Sequence, residues 1–219
     1  MRLLENTTDI FEIRKKDIKL YFEVLKNPEL NFTTHESSIL RSTVTLLLYN
    51  IIEAVVVKLF EDYYSAIGQR EYSQLPEALQ ELWLDFRLRK NDPHSANHQT
   101  YVNTSKDIIR LISNNQLISL PSRKVRAIMS GNADHKSIQS LFDKHGIRVS
   151  NSPIMPVLKG IKDDRNDLGH GSKTFEEVGR EKTIQVLENE KNAVMTFLQE
   201  LIATIACEII NIEDEAIAP

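Results

Sequence analysis

Apolar residues recur along the chain at spacings of three and four, which is the pattern of amphipathic helices. In the first such segment, Asp9 to Asn27, the apolar face consists of Ile10, Ile13, Ile18, Tyr21, Phe22 and Leu25. The second, from about Ser37 to Gly68, is apolar on nearly every side and predicts the central helix of the fold. The helical pattern returns at Gln74 to Leu88, at Tyr101 to Asn114 and at His135 to His145.

The last third of the chain predicts two more helices around a glycine-rich turn. Pro153 to Leu168 is periodic and then meets Gly169-His170-Gly171, where glycines predict a helix end. Thr174 and Glu177 have the spacing of a capping box, so we expect the last helix to begin there and to continue to about Ile212.

These segments predict one all-α domain over residues 1–219. Seven glycines and seven prolines are few for a sandwich or barrel with many turns. We expect a core at about residues 37–210, an accessory N-terminal helix within residues 1–30, and a variable insert with short helices at residues 89–152. Within that insert the polar stretch Arg89 to Thr100 predicts a loop.

The distribution of charge gives a weak indication of a polyanionic ligand. The formal net charge is −4, which argues against a protein that coats nucleic acid electrostatically. Residues 117–173, however, hold ten basic residues against five aspartates and no glutamate. The candidate contacts are Lys159, Lys162, Lys173, Arg123, Lys124 and Arg126, and the plain alternative is a solvated basic face.

The sequence favours a soluble protein of a reducing compartment, the cytoplasm, with no membrane contact. The single cysteine, Cys207, has no intrachain partner and is expected to pack as a small hydrophobe. The most apolar windows, Leu46 to Phe60 and Phe197 to Ile210, are interrupted by polar residues and are expected to fall short of the roughly 20 residues that a membrane span needs.

The densest group of chemically useful side chains is the string Lys162-Asp163-Asp164-Arg165-Asn166-Asp167-Leu168-Gly169-His170-Gly171. It resembles the family-defining motif of HEPN domains: an arginine, often followed by a polar residue, then four to six residues, then a histidine. The string Tyr49-Asn50-Ile51-Ile52-Glu53 is similar to the early HEPN helix that brings a polar or acidic residue towards the motif. The resemblance covers roughly Ser37 to Ile210 and implies a HEPN-like up-and-down helical bundle with additional helices.

The resemblance also implies a function. HEPN nucleases cut RNA without a metal or cofactor, as homodimers with a composite active site, and many are toxins or anti-phage effectors with an antitoxin or another conflict-system protein as partner. By this comparison His170 exchanges a proton with the reacting oxygens, and Arg165 holds the phosphate through its planar, permanently charged fork. Asn166 would orient the imidazole or bind phosphate, and Glu53 would position one of the two motif residues.

Geometry supports the dimer, because side chains five residues apart on a helix diverge by about 140°. One copy of the motif therefore does not obviously converge on one phosphate, whereas two copies across a symmetric interface could.

Several other interpretations stay open. The chain could be a HEPN-like interaction module with a vestigial motif, or a metal-dependent hydrolase using Asp163, Asp164 and Asp167. Arg165 could instead pair with Asp163, Asp164 or Glu177, and His170 could merely cap a helix. A metal held by His94 and His98 is the weakest possibility, since their surroundings predict a loop. His35, His135 and His145 resemble surface or cap residues, and Tyr49 fits the core better than catalysis. Ser172 stands where some HEPN toxins carry a modified tyrosine, which puts that route of regulation in doubt.

Overall fold

The structure is a computed structural model, and it describes residues 4–68, 70–89, 98–120, 129, 133–149 and 154–217. Within these ranges almost all regular structure is helical, which confirms the predicted all-α class. In chain order the α-helices are α1 (Glu5–Lys26), α2 (Thr34–Ile67), α3 (Glu77–Arg89), α4 (His98–Ser113), α5 (His135–Asp143), α6 (Met155–His170), α7 (Phe175–Arg180) and α8 (Ile184–Ile217). Two short antiparallel strands, β1 (Arg70–Glu71) and β2 (Leu117–Ile118), and the 3₁₀ turns Pro28–Leu30 and Tyr72–Gln74 complete the described elements.

Helix α2 is the centre of the fold, and α1, α6, α7 and α8 all pack on it. A capping box starts it: the N–H of Glu36 donates to Thr33 Oγ1, while Thr33 N–H donates to the Glu36 carboxylate. Its side chains are fully buried along several faces, among them Val44, Leu48, Ile52, Val55 and Leu59. A helix that is apolar on all sides is stable in water only when other elements cover it, and this explains the central position that the pattern predicted.

The sequence predicted that no segment reaches the length of a membrane span. Judged by helix length and mean hydropathy alone, that expectation is wrong. Both α2 and the stretch Ile184–Asp214 of α8 pass that test, with windows of mean hydropathy 1.8 and 1.7. The core helix of a helical bundle passes the same test, and 56% of the α2 window is buried against its neighbours.

The predicted final helix is in fact two helices. The capping box at Thr174 and Glu177 forms as expected, but α7 ends at Arg180 and α8 begins at Ile184. At this break the backbone carbonyl of Lys182 accepts a bond from Arg41 Nη1 at 3.2 Å, and Thr183 Oγ1 accepts the N–H of Val186 at 3.2 Å.

Glycine lets α7 lie directly against α2. A Cβ built at Gly179 would be 1.7 Å from the carbonyl oxygen of Ser38, so no larger residue fits without moving backbone. This contact holds the segment that follows the Arg165–His170 motif onto the central helix.

The structure also bears on three smaller expectations. Cys207 is exposed rather than packed in the core. His135 and His145 are buried, at 8% and 3% exposure, so the surface alternative is wrong for both. The cap alternative holds for His145, whose Nδ1 bonds the Leu141 carbonyl at the end of α5. The predicted loop at Arg89 to Thr100 lies mostly outside the described residues, and α4 already begins at His98.

Candidate active site

Helix α6 ends at His170 in a left-handed turn that leaves the imidazole in solvent. Gly171 has a φ of +72°, and Ser172 N–H donates to the Asp167 carbonyl at 2.9 Å. Glycine is the usual residue for such a stop because it has no Cβ to clash in the left-handed conformation. The His170 side chain is exposed, and its imidazole forms no hydrogen bond with any other described residue. Its ring is therefore open to a substrate or to a second protomer.

Arg165 lies one turn earlier, half-buried over the ring of Tyr49. Its Cζ is 4.8 Å from the ring centroid, and its Nη1 donates to Asn166 Oδ1 at 3.1 Å. A guanidinium over an aromatic face is attracted to it by about 0.5–1 kcal/mol when exposed and by about 2 kcal/mol when desolvated. Asn166 is thus engaged with Arg165 rather than with the imidazole of His170.

The carboxylates near Arg165 in sequence have other partners. Asp164 pairs with Lys182 at 2.8 Å, Asp167 lies 3.6 Å from Lys173, and Glu177 is held by its capping box with Thr174. Within the part of the chain that the structure describes, Arg165 forms no ion pair. The rest of its hydrogen-bond fork is available to an anion.

Tyr49 is both a core residue and the support of the arginine. It is 1% exposed, and its hydroxyl oxygen accepts the N–H of Ala133 at 3.3 Å. Burial raises the pKa of this hydroxyl above its ordinary value, and the nearby carboxylate of Glu53 raises it further, although Ala133, Arg165 and Lys162 act in the opposite direction. The phenol therefore stays neutral, and the guanidinium lies over the face of a neutral aromatic ring.

Glu53 lies one turn beyond Tyr49 on α2 and faces a different space. With Asn50 it lines a groove of about 820 Å³ between α1 and α2. Among the described residues it forms neither a hydrogen bond nor an ion pair with Arg165 or His170. The structure thus brings Arg165, Asn166 and Tyr49 together and places Glu53 beside them, on the wall of the groove.

The basic residues that the sequence proposed as RNA contacts differ in whether they already have ion-pair partners. Lys162 Nζ donates to Asp134 Oδ2 at 2.6 Å, and Lys173 pairs with Glu181 at 3.3 Å and with Asp167. Burial works to raise the pKa of Asp134, but its bonds with Lys162 and Ser137 outweigh burial and hold that pKa below its ordinary value. Lys159 is exposed, whereas Arg123, Lys124 and Arg126 lie outside the described residues.

A comparison with protein families assigns the domain. The model described as HEPN_MAE_28990-like HEPN matches residues 3–213. The chain belongs to the HEPN family. This confirms the family that the motif indicated, and the match extends through α1 and most of α8. No curated protein and no solved structure matches the chain.

The HEPN domain has a buried ionic cluster behind its motif that the sequence did not indicate. Lys182, which is 8% exposed, lies 2.8 Å from both Asp164 Oδ2 and Glu190 Oε1. Burial works to lower the pKa of the Lys182 amine, but the two carboxylates outweigh it and raise that pKa above its ordinary value. The cluster ties the turn of α6 that carries Arg165 to α8.

The carboxylates of the motif do not form a metal site in the HEPN domain as described. No group of three or more His, Cys, Asp or Glu side chains within the described ranges is placed to hold an ion. Two of the three aspartates considered for metal binding, Asp164 and Asp167, have lysine partners instead. His98 is exposed at the start of α4, and His94 falls outside the described residues.

Proposed function

We propose that this HEPN protein is a metal-independent endoribonuclease that acts as a homodimer. The observation that carries the proposal is the state of Arg165, whose guanidinium is half-buried over Tyr49 without a carboxylate partner in the described chain. Withdrawing a charged group from water without a partner costs free energy. A phosphodiester offers the missing partner, because its two oxygens match the planar fork of arginine.

The proposed reaction uses the 2′-hydroxyl of RNA as the nucleophile. The 2′-oxygen attacks phosphorus and the bond from phosphorus to the 5′-oxygen breaks, which leaves a 2′,3′-cyclic phosphate and a 5′-hydroxyl. One proton leaves the 2′-oxygen and one joins the departing 5′-oxygen, and imidazole is suited to both transfers near neutral pH. Arg165 offsets the negative charge that builds on the phosphoryl oxygens.

Dimerisation supplies what one protomer lacks. Arg165 and His170 point in directions about 140° apart on α6, so one chain presents a phosphate-binding side and a proton-transfer side separately. A two-fold axis beside α6 would set two arginines and two exposed imidazoles around one cleft. Light scattering of the purified chain tests this step, and we expect twice the mass of one chain.

The decisive experiment is cleavage of labelled single-stranded RNA in EDTA. We expect wild type to produce 2′,3′-cyclic phosphate ends and Arg165→Ala and His170→Ala each to lose about a hundredfold or more of the rate. Arg110→Ala and His98→Ala are matched controls, because both residues are exposed on α4 outside the site. Both controls should cut like wild type.

Each other outcome points to a specific alternative. Cleavage that EDTA abolishes would indicate a metal-dependent hydrolase. A folded, dimeric wild-type chain that leaves RNA intact would indicate a HEPN interaction module with a vestigial motif.

We extend the proposal to a role as a toxin or anti-phage defence effector that a partner protein restrains in the cytoplasm. The support is the HEPN assignment together with the exposed His170, which a partner could cover. Induced expression in a bacterial host should stop growth for wild type and not for His170→Ala at equal protein levels. Equal growth of the two strains would argue against a toxin.

A further inference from the structure

The groove between α1 and α2 holds more polar groups than the proposed chemistry uses. It has a volume of about 820 Å³, within the roughly 300–1,000 Å³ range of small-molecule sites. Part of its wall is apolar, formed by Ile10, Ala54 and Val57. This surface is suited to the flat face of a ring rather than to a fully hydrated ion.

The charged groups of the groove do not favour a phosphate. Three carboxylates, Asp9, Glu53 and Glu61, line it against two cations, Arg14 and Lys58. Lys58 is also paired with Glu61 at 3.1 Å. A phosphate here would face net negative charge, whereas a neutral ring with polar edges would not.

Arg14 provides an unsatisfied donor in this wall. Its Nε is shielded from solvent and has no hydrogen-bond partner among the described residues. A buried donor without an acceptor costs about 1–3 kcal/mol, so a ligand that supplies an acceptor is favoured. Asn50 and the carboxylates of Glu53 and Asp9 add amide and acceptor groups around it.

We propose that the groove is a nucleobase subsite for the RNA substrate, a proposal that rests on the proposed nuclease function. The apolar wall covers the base face, the Arg14 side chain turns so that its Nε donates to a ring nitrogen or carbonyl, and the carboxylates accept from an exocyclic amino group. Uracil has no amino group, so adenine, guanine and cytosine are preferred over it.

One turn of α2 separates Glu53, in the wall of the groove, from Tyr49, the residue under Arg165. Glu53 lines the groove and acts electrostatically on the Tyr49 hydroxyl, and the ring of Tyr49 carries Arg165. A nucleotide with its base in the groove would therefore have its backbone near the guanidinium. Base preference next to the cut bond follows from this arrangement.

Titration with the four nucleosides tests the subsite without any cleavage. In ¹H–¹⁵N spectra of the full chain, the Arg14 Nε–H signal is identified by its loss in Arg14→Met. This signal should shift when adenosine, guanosine or cytidine is added. The shift with uridine should be at least several-fold smaller. Arg14→Met should weaken nucleoside binding about tenfold. Lys16→Met is the control, since Lys16 is exposed on the same helix outside the groove.

A 2′-O-methyl RNA tetranucleotide, which cannot be cut, separates the outcomes. If it displaces nucleoside and moves the signals of Arg14 and Arg165 together, the groove is a substrate subsite. If nucleosides bind and the tetranucleotide does not displace them, the groove takes a free nucleoside and our assignment is wrong. If no nucleoside shifts the Arg14 Nε–H signal, the subsite inference fails, even if the protein cuts RNA. If nucleosides shift that signal but wild type leaves cleavable RNA intact, only the nuclease proposal fails.

Discussion

Arg165 and His170 are five residues apart on one helix, yet their surroundings differ. Arg165 is half-buried, lies on Tyr49 and is bonded to Asn166, and the residue before it is fixed by the buried Lys182 cluster. His170 is exposed on the last helical residue, followed by a left-handed glycine. The arginine side of the motif is built by the protomer itself, whereas the histidine side is left open.

This difference fits a site that one chain completes only in part. A phosphate must be held in a fixed place, so the residue that binds it gains from packing before the substrate arrives. A proton carrier needs access to two oxygens and, in our proposal, to a second protomer. We therefore expect changes on the arginine side to affect folding and changes on the histidine side to affect mainly chemistry.

The largest effect should come from Lys182, and Lys173, which also pairs with α6, is the comparison. Lys182 and Lys173 each contact two carboxylates, but the Lys182 cluster is buried and the Lys173 pairs are exposed. Lys182→Met leaves Asp164 and Glu190 without their buried partner and should cost about 3 kcal/mol or more of unfolding free energy. Lys173→Met should leave the urea midpoint unchanged because water screens its pairs. Equal losses in the two variants would contradict the contrast.

The same cluster shows which part of the fold the sequence could predict. Periodicity and caps placed the helices within a few residues, because those patterns are local. The break between α7 and α8 was missed because it depends on Arg41 reaching the Lys182 carbonyl and on Asp164 reaching its amine. Such distant partners leave no trace in the spacing of apolar residues.

A second large effect should appear with pH, through the buried His145. Its Nδ1–H donates to the Leu141 carbonyl at 2.6 Å, and its Nε2 accepts from the Tyr64 hydroxyl at 2.5 Å, an arrangement of the neutral ring. Burial lowers the pKa of His145 from 6.5 to about 4. Below pH 6.5 this histidine therefore binds a proton in the unfolded chain but not in the folded chain. The free energy of unfolding should fall by roughly 3 kcal/mol as the pH drops from 6.5 to 4.

Urea unfolding at several pH values measures this loss. His145→Gln should remove most of the pH dependence between pH 6.5 and 5, above the range where carboxylates protonate. His170→Ala should leave the pH dependence as it is in wild type, because the exposed ring has no described bond to lose. A wild-type stability that is flat over this interval would show that His145 is not the neutral buried ring described above.

A smaller effect should come from the support under Arg165. Tyr49→Leu removes the aromatic face and should lower kcat/KM for RNA about tenfold, the equivalent of the lost cation–π contact. Tyr49→Phe keeps the face and loses only the acceptor for Ala133 N–H, so it should cost about 1 kcal/mol of stability and leave cleavage near wild type. If the two variants cut RNA equally slowly, the ring does not position the arginine.

Tyr49 also marks the limit of site prediction. The sequence proposes Arg165, Asn166 and His170 because they lie in one short string with helix-end glycines, and Glu53 because it lies in the related early string. Three contacts depend on how α2, α5 and α6 pack together and so could not be predicted. Arg165 lies on Tyr49, Asn166 bonds Arg165 rather than His170, and Lys162 pairs with Asp134. Its place in the apolar early helix correctly predicts that Tyr49 is a core residue, but gives no sign of its contact with Arg165.

The smallest effects should separate the two glycines that flank His170. Gly171 has a φ of +72°, so Gly171→Ala forces a Cβ into the left-handed region and should cost about 1 kcal/mol. Gly169 is helical and has open space around an added Cβ, so Gly169→Ala should instead stabilise α6 by up to about 1 kcal/mol. Thermal unfolding measures whether each substitution raises or lowers stability. In the cleavage assay, Gly171→Ala should slow the reaction because it frays the helix end that carries His170, whereas Gly169→Ala should not. If both substitutions destabilised the protein, the helix would end before Gly169, and the open histidine side would begin earlier than the structure places it.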